Sequence, residues 1–581
     1  VYEAENQARP ELIVNNSNVS IPQGGIIGLR SGVGEVINSH FSATFNNSAI
    51  SGFALTGAES IKLSGTESLT ENIQLTFNNS TVYGVTTTDS NSVLNLNLNN
   101  SNWTTKAFTD EDGVVQTTSL TNLALNNGVV NLANDNYQGI IVRGNLTGSG
   151  TFNLNTNIAE NKSDKIVVKG TAEGNHKIGV TNQGANVANG KVTLVETNGG
   201  NAAFSLTNPN NRVDLGAYQY FLTKEGNNWV LANSKNEVTP TPPVAPVTPS
   251  KPVVTPSNPV VTPSNPVVTP SKPVVTPNKP VVTPTAPVLP STPLLSDLAN
   301  AQVSLRQAQL LLVEDNLSGI HQRLGEVKNG EKGNVWVRNV NSRQKLAALS
   351  TGESETSGFK QNVHSLQVGA DAAVTDNLRL GGFVGRSQAN VDFNGYYGDG
   401  KVRSNSVGLY AAYLADNGIY VDNIVKYSRL HANSDHTEKR HYNAYTISSE
   451  LGKRFSLAND WTITPQAQLA WTHISSQENE DSLSSVYSRI GLRVAKGFAL
   501  SNGWNLQPYA EVNAITSKNR SSKIHYTNSA LDVASSRGRF ESAVGLNAGF
   551  ANHRFGLEVS RADGKNFDKP YAIQAVYRYQ W

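Results

Sequence analysis

The last eleven residues read YAIQAVYRYQW, Tyr571–Trp581. Taken every second residue, Tyr571, Ile573, Ala575, Tyr577, Tyr579 and Trp581 share one face, and Ala572, Gln574, Val576, Arg578 and Gln580 share the other. A strand turns successive side chains to opposite faces, so this is a strand with one greasy aromatic face. Working back, the same period holds to about residue 333, through stretches such as HSLQVGADAAVT, SVGLYAAYLAD, SRIGLRVAKGFAL and ESAVGLNAGF. Short turn signals lie near Asp376-Asn377, Asp416-Asn417-Gly418, Asn459-Asp460, Ser501-Asn502-Gly503 and Asn552. Longer polar stretches lie near 350–358, 392–401, 433–440, 478–486, 518–534 and 562–569. Six long connections alternating with five short ones predict twelve strands, and that asymmetry belongs to a transmembrane β-barrel. A closed barrel has no free edge, so the final strand pairs with the first, and Trp581 falls where an interfacial aromatic girdle stands.

Upstream the patterning changes three times. Residues 296–328 carry Leu310, Val313, Leu317, Ile320, Leu324 and Val327 at spacings of three and four, with Ser296 or Asp297 as a cap. This predicts one amphipathic helix of roughly 30 residues, on the order of 45 Å long. Residues 239–293 hold 18 of the 24 prolines, in repeats such as KPVVTPS and NPVVTPS. Proline fixes φ and lacks the N–H, so a polyproline II spacer is expected, reaching on the order of 170 Å at ~3.1 Å per residue. Residues 1–235 are rich in Asn, Thr, Ser and Gly, with short alternating runs (VLNLNLNNS, GTFNLNTN) followed by turn tripeptides. Those tripeptides are Asn15-Asn16-Ser17, Asn46-Asn47-Ser48, Asn78-Asn79-Ser80, Asn99-Asn100-Ser101 and Asn126-Asn127-Gly128. Turn formers recurring after strand formers at a coil's spacing predict a parallel β-helix.

Composition narrows the class. A net charge of +2 argues against a nucleic-acid partner held by a charge field. The chain has no cysteine, so it has no disulfide framework, which suits passage through a narrow pore in the unfolded state. It also has no methionine, so a processed or excerpted chain is expected, its signal peptide removed. No apolar run is long enough for a transmembrane helix.

A β-rod, a Pro-rich spacer, a pore-length helix, a twelve-stranded barrel and an aromatic terminus together resemble the classical monomeric autotransporters of Gram-negative bacteria. The passenger resembles the pertactin-like group, from NSNWTTK around Asn102 through LTNLALNNGVVNLA to VDLGAYQYFLTKEGNNWVL, which ends at Leu231; the barrel opening KNGEKGNVWVRN is similar too. The resemblance implies a mostly β chain in four parts. These are a right-handed parallel β-helix passenger over 1–235 with an autochaperone-like end at 147–231, a linker over 236–294, a pore helix over 295–330 and the translocator barrel over 331–581. It implies an outer-membrane barrel with its passenger at the cell surface or released, in contact with membrane lipid and lipopolysaccharide. The barrel would be monomeric and served by periplasmic chaperones. The barrel-assembly machinery would read a terminal signal carried by Tyr577, Tyr579 and Trp581. It also marks Asn300-Ala301, within LANAQV, as a bond that some relatives cut when the Asn side chain attacks its own carbonyl carbon.

Other chemistry finds little support. No G-x-S-x-G elbow appears, and residues 1–235 hold only His40 and His176. Neither a cofactor nor a metal site is expected; Asp110-Glu111 reads as a polar turn. The segment RLHANSDHTEKRH, Arg429–His441, reads as a solvated or lipopolysaccharide-facing loop. The expected function is an adhesin displayed on a rod, engaging an unknown host or bacterial surface ligand, with a secreted hydrolase as the alternative. The barrel carries RAD at Arg561, and no Arg-Gly-Asp occurs.

Overall fold

The computed structural model describes residues 9–26, 38–58, 61–62, 68–109, 112–132, 137, 139–183, 190–235, 289–326, 328–527, 529–535 and 538–581. The N-terminal part winds as stacked coils of parallel strands, and the turn tripeptides form one corner of the stack. Asn15, Asn46, Asn78, Asn99 and Asn126 stand in register in a single column. Their amides are chained: Asn46 Nδ2 donates to Asn15 Oδ1 at 2.7 Å, Asn78 to Asn46 at 2.8 Å and Asn99 to Asn78 at 2.8 Å. The second Asn of each corner is left-handed, with φ of 51°, 48°, 48°, 49° and 55° at Asn16, Asn47, Asn79, Asn100 and Asn127. Asn tolerates that region better than other non-glycine residues. The third position links coils. The hydroxyls of Ser48, Ser80 and Ser101 accept from the backbone N–H of Ser17, Ser48 and Ser80 at 3.0, 3.0 and 2.9 Å. At the fifth corner Gly128 replaces serine, because a Cβ there would stand 2.7 Å from Leu98 Cβ.

Inside the coils, alternate residues build an apolar core of Ile73, Leu75, Phe77, Leu94, Leu96, Leu98 and Trp103, with Phe45 and Phe77 stacked at 5.0 Å. The stack ends when the chain turns antiparallel. Lys191–Thr197 pairs with Asn228–Ala232, which pairs with Tyr218–Glu225, and that strand pairs with Arg212–Leu215. A parallel coil offers its open edge to any further strand, and this antiparallel end closes it.

The C-terminal part is a closed barrel. Its twelve strands are Gly333–Leu346, Phe359–Ala373, Leu378–Phe393, Asp399–Leu414, Ile419–Ser434, Thr437–Lys453, Trp461–Ile474, Leu483–Lys496, Asn505–Asn519, Arg539–Phe550, His553–Gly564 and Phe567–Gln580. Neighbours run antiparallel, and the last strand pairs with the first from Asn334↔Gln580 to Leu346↔Phe567. In the last strand Tyr571, Ile573, Tyr577 and Trp581 face outward, whereas Gln574, Arg578 and Gln580 face the lumen, as the alternation predicts.

Two expectations need correction. The single long helix is two: Asp297–Asp315 and Ile320–Leu324. Apolar spacing continues past residue 315, but the barrel wall captures Asn316, whose Nδ2 donates to Ser387 Oγ and whose Oδ1 accepts from Ser365 Oγ, both at 2.7 Å. Val327 lies outside the described residues. Of the six expected long connections, two are tight turns, at 435–436 and 565–566. There the strands run on beyond the apolar belt with polar residues on both faces, and hydropathy cannot separate such a strand from a loop.

Candidate functional site in the lumen and at the outer mouth

The helix Asp297–Asp315 fills the barrel. Ser296 caps it, accepting from Ala299 N–H at 3.2 Å and donating to Gly216 O at 2.6 Å. Its buried positions include Asn300, Gln302, Ser304, Arg306, Gln307, Gln309 and Glu314 alongside the leucines. A helix buried on polar and apolar sides alike is stable only where the surrounding wall supplies polar partners. Arg306 donates to the carbonyls of Ser475 (3.2 Å) and Asp481 (2.7 Å) and lies over the Tyr442 ring. Lower down, Asp315 pairs with Lys569 at 2.8 Å, and Glu314 accepts from Ser517 at 2.5 Å. In the short second helix Arg323 pairs with Asp422 at 2.6 Å, both side chains at most 1% exposed, with the guanidinium 4.2 Å from the Tyr410 ring centroid. Gln322 donates to Glu511 at 2.8 Å, and at the lower end Arg454 pairs with Glu326 at 2.9 Å. A cavity of about 90 Å³, lined by Glu314, Asp315, Arg489, Glu541 and Lys569 among others, is left beside the plug.

At the other end the helix emerges under the passenger. Residues 290–297 run back along the passenger's terminal hairpin. Lys235 N–H donates to Pro290 O at 3.0 Å, Gln219 N–H to Leu294 O at 3.0 Å, and Ser296 N–H to Ala217 O at 2.9 Å. Gln219 Nε2 reaches Leu295 O at 2.8 Å, and so does the Tyr397 hydroxyl, from the loop after the third barrel strand, at 2.9 Å. Arg212 bridges Asp214 (2.8 Å) and Asp297 (2.9 Å), and Ser354 of the first barrel loop donates to Pro293 O. The two described feet of the Pro-rich segment therefore stand side by side. The expected polyproline II repeats between those feet, over 239–288, lie outside the described residues.

The residues singled out by sequence fall in separate places. Asn300 is buried one turn inside the mouth, its Nδ2 donating to Ser357 Oγ and its Oδ1 accepting from Ser357 N–H, both at 2.9 Å. Among the described residues, no carboxylate is recorded on that amide. Ala301 is buried beside it. Tyr577, Tyr579 and Trp581 lie at the short-turn rim: Tyr577 meets His553 at 2.7 Å, and Trp581 O accepts from Lys332 N–H at 2.8 Å. His176 is a core residue. Its ring sits between Phe152 and Phe204, Nε2 lies 2.8 Å from Glu173 O, and burial holds the imidazole below its ordinary pKa. The predicted loop Arg429–His441 is mostly paired strand, with His431 and His441 opposed at 4.4 Å between ring centroids. Asp110 and Glu111 lie outside the described residues. Sequence reading missed Ser357, Tyr397 and the pair Arg323–Asp422. The one available signal was the set of ionisable residues, Arg306, Glu314, Asp315 and Arg323, on a segment otherwise apolar enough to be buried.

Comparison with known proteins agrees with this architecture. The family described as Autotransporter beta-domain matches residues 335–560, and the family Pertactin matches residues 120–233. The pertactin autotransporter of Bordetella parapertussis is 31% identical over 319 residues, covering 50% of this chain and 34% of its own length. The BrkA autotransporter of Bordetella pertussis is 26% identical over 310 residues, covering 49% of this chain and 30% of its own. The solved β domain of BrkA covers 43% of this chain and 100% of its own at 26% identity, with a TM-score of 0.37. The chain thus spans about a third of the length of the curated relatives it matches. With a pertactin-like β-coil ahead of a plugged twelve-stranded barrel, it belongs to the classical autotransporters: a Gram-negative outer-membrane barrel that carries a passenger at the cell surface.

Proposed function

We propose that the barrel delivers its own passenger, residues 1–235, to the cell surface and then holds it there as a binding module for a host or bacterial surface ligand. Residues 236–294 are the linker in this reading, 295–330 the pore segment and 331–581 the translocator, with 147–231 the segment that nucleates passenger folding outside. The observation that carries it is continuity. One covalent chain passes from the β-rod through the strap at 290–297 into a helix whose polar groups are matched by the lumen wall. A polar rod with columns of Asn and Ser side chains offers many weak contacts, which suits multivalent attachment. Membrane lipid and lipopolysaccharide surround the barrel; periplasmic chaperones and the assembly machinery act earlier, the machinery reading Tyr577, Tyr579 and Trp581.

Cleavage at Asn300-Ala301 would require the Asn300 amide to leave Ser357 and turn onto its own carbonyl carbon. The double hydrogen bond to Ser357 supports a displayed state in which that bond is intact. Immunoblots with separate antibodies against 1–230 and 340–581 test this; the expected result is one membrane-bound band near full mass. Two fragments that merge into one in Asn300→Ala would instead make Asn300 the cutting residue. Attachment is tested with cells displaying the full chain and cells displaying the barrel alone. Equal adherence would sink the adhesin reading and turn attention to hydrolase activity.

A further inference from the structure

Outside the lumen, one feature of the barrel wall lacks a partner. On the third, fourth and fifth strands, Arg386, Arg403 and Arg429 all point outward and are exposed. Register places Arg386 opposite Asn405, Asn405 opposite Arg429, and Arg403 opposite His431, which in turn faces His441. Residues two apart on a strand share a face, so Arg403 is the diagonal neighbour of both Arg386 and Arg429, about 7–8 Å away between backbones. Three guanidinium groups therefore crowd one patch, with Lys401 just above and no carboxylate in the same two rows. Among the described residues, none of the three arginines has a recorded ion pair or side-chain hydrogen bond. Like charges at such spacing repel, and a patch of this kind is stable where a counter-charge arrives from outside the chain.

The position identifies the counter-charge. The next row toward the membrane centre is Val384, Val407, Tyr427 and Tyr445, the two tyrosines 5.4 Å apart; below it lie Leu409, Val425 and Ile447, all exposed. Outward tyrosines above an aliphatic belt mark the membrane–water interface. These are the strand ends toward the passenger, so the patch sits at the headgroup level of the outer leaflet. The wall is also asymmetric. Elsewhere near the same rim the outward cations have acidic or neutral neighbours: Lys345 and Lys360 stand opposite Asp568 and Asp392, Lys518 lies two residues from Thr516, and Arg561 is already paired with Asp563 at 2.9 Å.

We infer that Arg386, Arg403 and Arg429 form a binding site for the phosphate of a phosphorylated, multi-acyl glycolipid of the outer leaflet, whose acyl chains lie on the Val384–Val407–Leu409–Val425 belt. Guanidinium groups bind phosphate oxygens in bidentate fashion, and the aliphatic strip below them gives such a lipid a second point of contact that free phosphate lacks. The inference depends on the outer-membrane placement and not on what the passenger binds.

The test uses the full chain, purified in detergent, with bacterial lipid A and its enzymatically dephosphorylated form as probes. Native mass spectrometry and the thermal midpoint of the barrel are read against lipid concentration. Wild type is expected to bind the phosphorylated lipid at least about tenfold more tightly than the dephosphorylated form, and less tightly as salt rises. The variant Arg386→Gln/Arg403→Gln/Arg429→Gln should lose that preference, whereas Lys518→Gln/Arg561→Gln should keep it. Heat-modifiable migration on gels shows that each variant barrel is folded. Equal binding of both lipids by wild type, full binding by the triple variant, or an equal response to inorganic phosphate alone would each overturn the proposal.

Discussion

The passenger and the barrel are both built from strands of period two, yet they bury opposite faces. In the passenger, Leu94, Leu96 and Leu98 point inward and Asn95, Asn97 and Asn99 outward. In the barrel, Val407 and Leu409 point outward, whereas Ser404, Ser406 and Asp422 point inward. Alternation reports that a strand exists and is silent about which side is the core; the solvent on each side decides that. The consequence is a difference in how the two interiors are held. The passenger core is generic apolar packing repeated coil by coil, with polar order confined to its corners. The barrel interior combines apolar packing around the helix leucines with individual polar links, some between helix and wall, as at Asp315–Lys569 and Arg323–Asp422, and some within the wall, as where Arg489 meets Glu450 and Glu511.

That contrast is broken most sharply at Arg323. Arg323→Ala strands Asp422 in a buried site and is expected to cost about 3–5 kcal/mol of plug stability. Planar-bilayer recordings should then show long open-pore events that are rare in wild type. Arg323→Met with Asp422→Leu should restore much of the closure, since it removes both charges. Unchanged conductance in the single variant would mean that the pair does not hold the plug.

The passenger has its own buried charge, at Asp164. Its carboxyl is fully buried and accepts from Asn155 N–H at 2.7 Å; burial pushes its pKa up to about 7, and that hydrogen bond opposes the shift. With the folded value raised, the folded passenger keeps a proton that the unfolded chain has released. Stability should be highest below about pH 4 and fall as pH rises toward about 7. Urea titration of the intact chain, read by protease resistance of the passenger, checks this. Asp164→Asn should flatten the slope and stabilise the passenger above neutral pH; an unchanged slope would remove Asp164 as its cause.

The corner ladder predicts a smaller, local effect. Asn78 both donates to Asn46 and accepts from Asn99, so Asn78→Ala breaks two links and should cost about 1–2 kcal/mol, opening the coils on either side to proteolysis while the barrel stays unchanged. Asn153, which among the described residues is linked in this way to Asn131 alone, should cost less when replaced. Equal losses at the two sites would mean that the ladder adds nothing beyond one hydrogen bond.

These corners were legible because each position of Asn-Asn-Ser has its own backbone or side-chain duty, so the tripeptide recurs. The barrel strands were legible for a similar reason: a lipid belt forbids polar residues on one face. What escaped reading depends on three-dimensional partners. Nothing near Asn316 announces that Ser365 and Ser387 will stop the helix, and nothing in the proline repeats announces that Lys235 and Pro290 meet. The turns at 435–436 and 565–566 escaped because strand ends above the membrane are polar on both faces. Asn300 was picked out by a motif, but its partner Ser357 lies 57 residues away.

The mouth offers the finest comparison, because there the two interiors share a few residues. The strap at 290–297 joins the passenger to the barrel loops independently of the chain between Lys235 and Pro290. A specific protease site placed within the Pro-rich segment should therefore be cut on intact cells with the passenger still retained, held by the terminal hairpin on the strap. Tyr397→Phe removes the hydroxyl that accepts from Gln219 Nε2 of the passenger at 3.1 Å, while Gln219 still donates to Leu295 O of the strap at 2.8 Å. The loss should be about 1 kcal/mol, which after such a cut appears as roughly fivefold faster release of the passenger into the medium. Immediate release from the wild-type strap would show that the covalent linker alone holds the rod, and retention unaffected by Tyr397→Phe would place the holding force on Arg212, Asp214 and Asp297 instead.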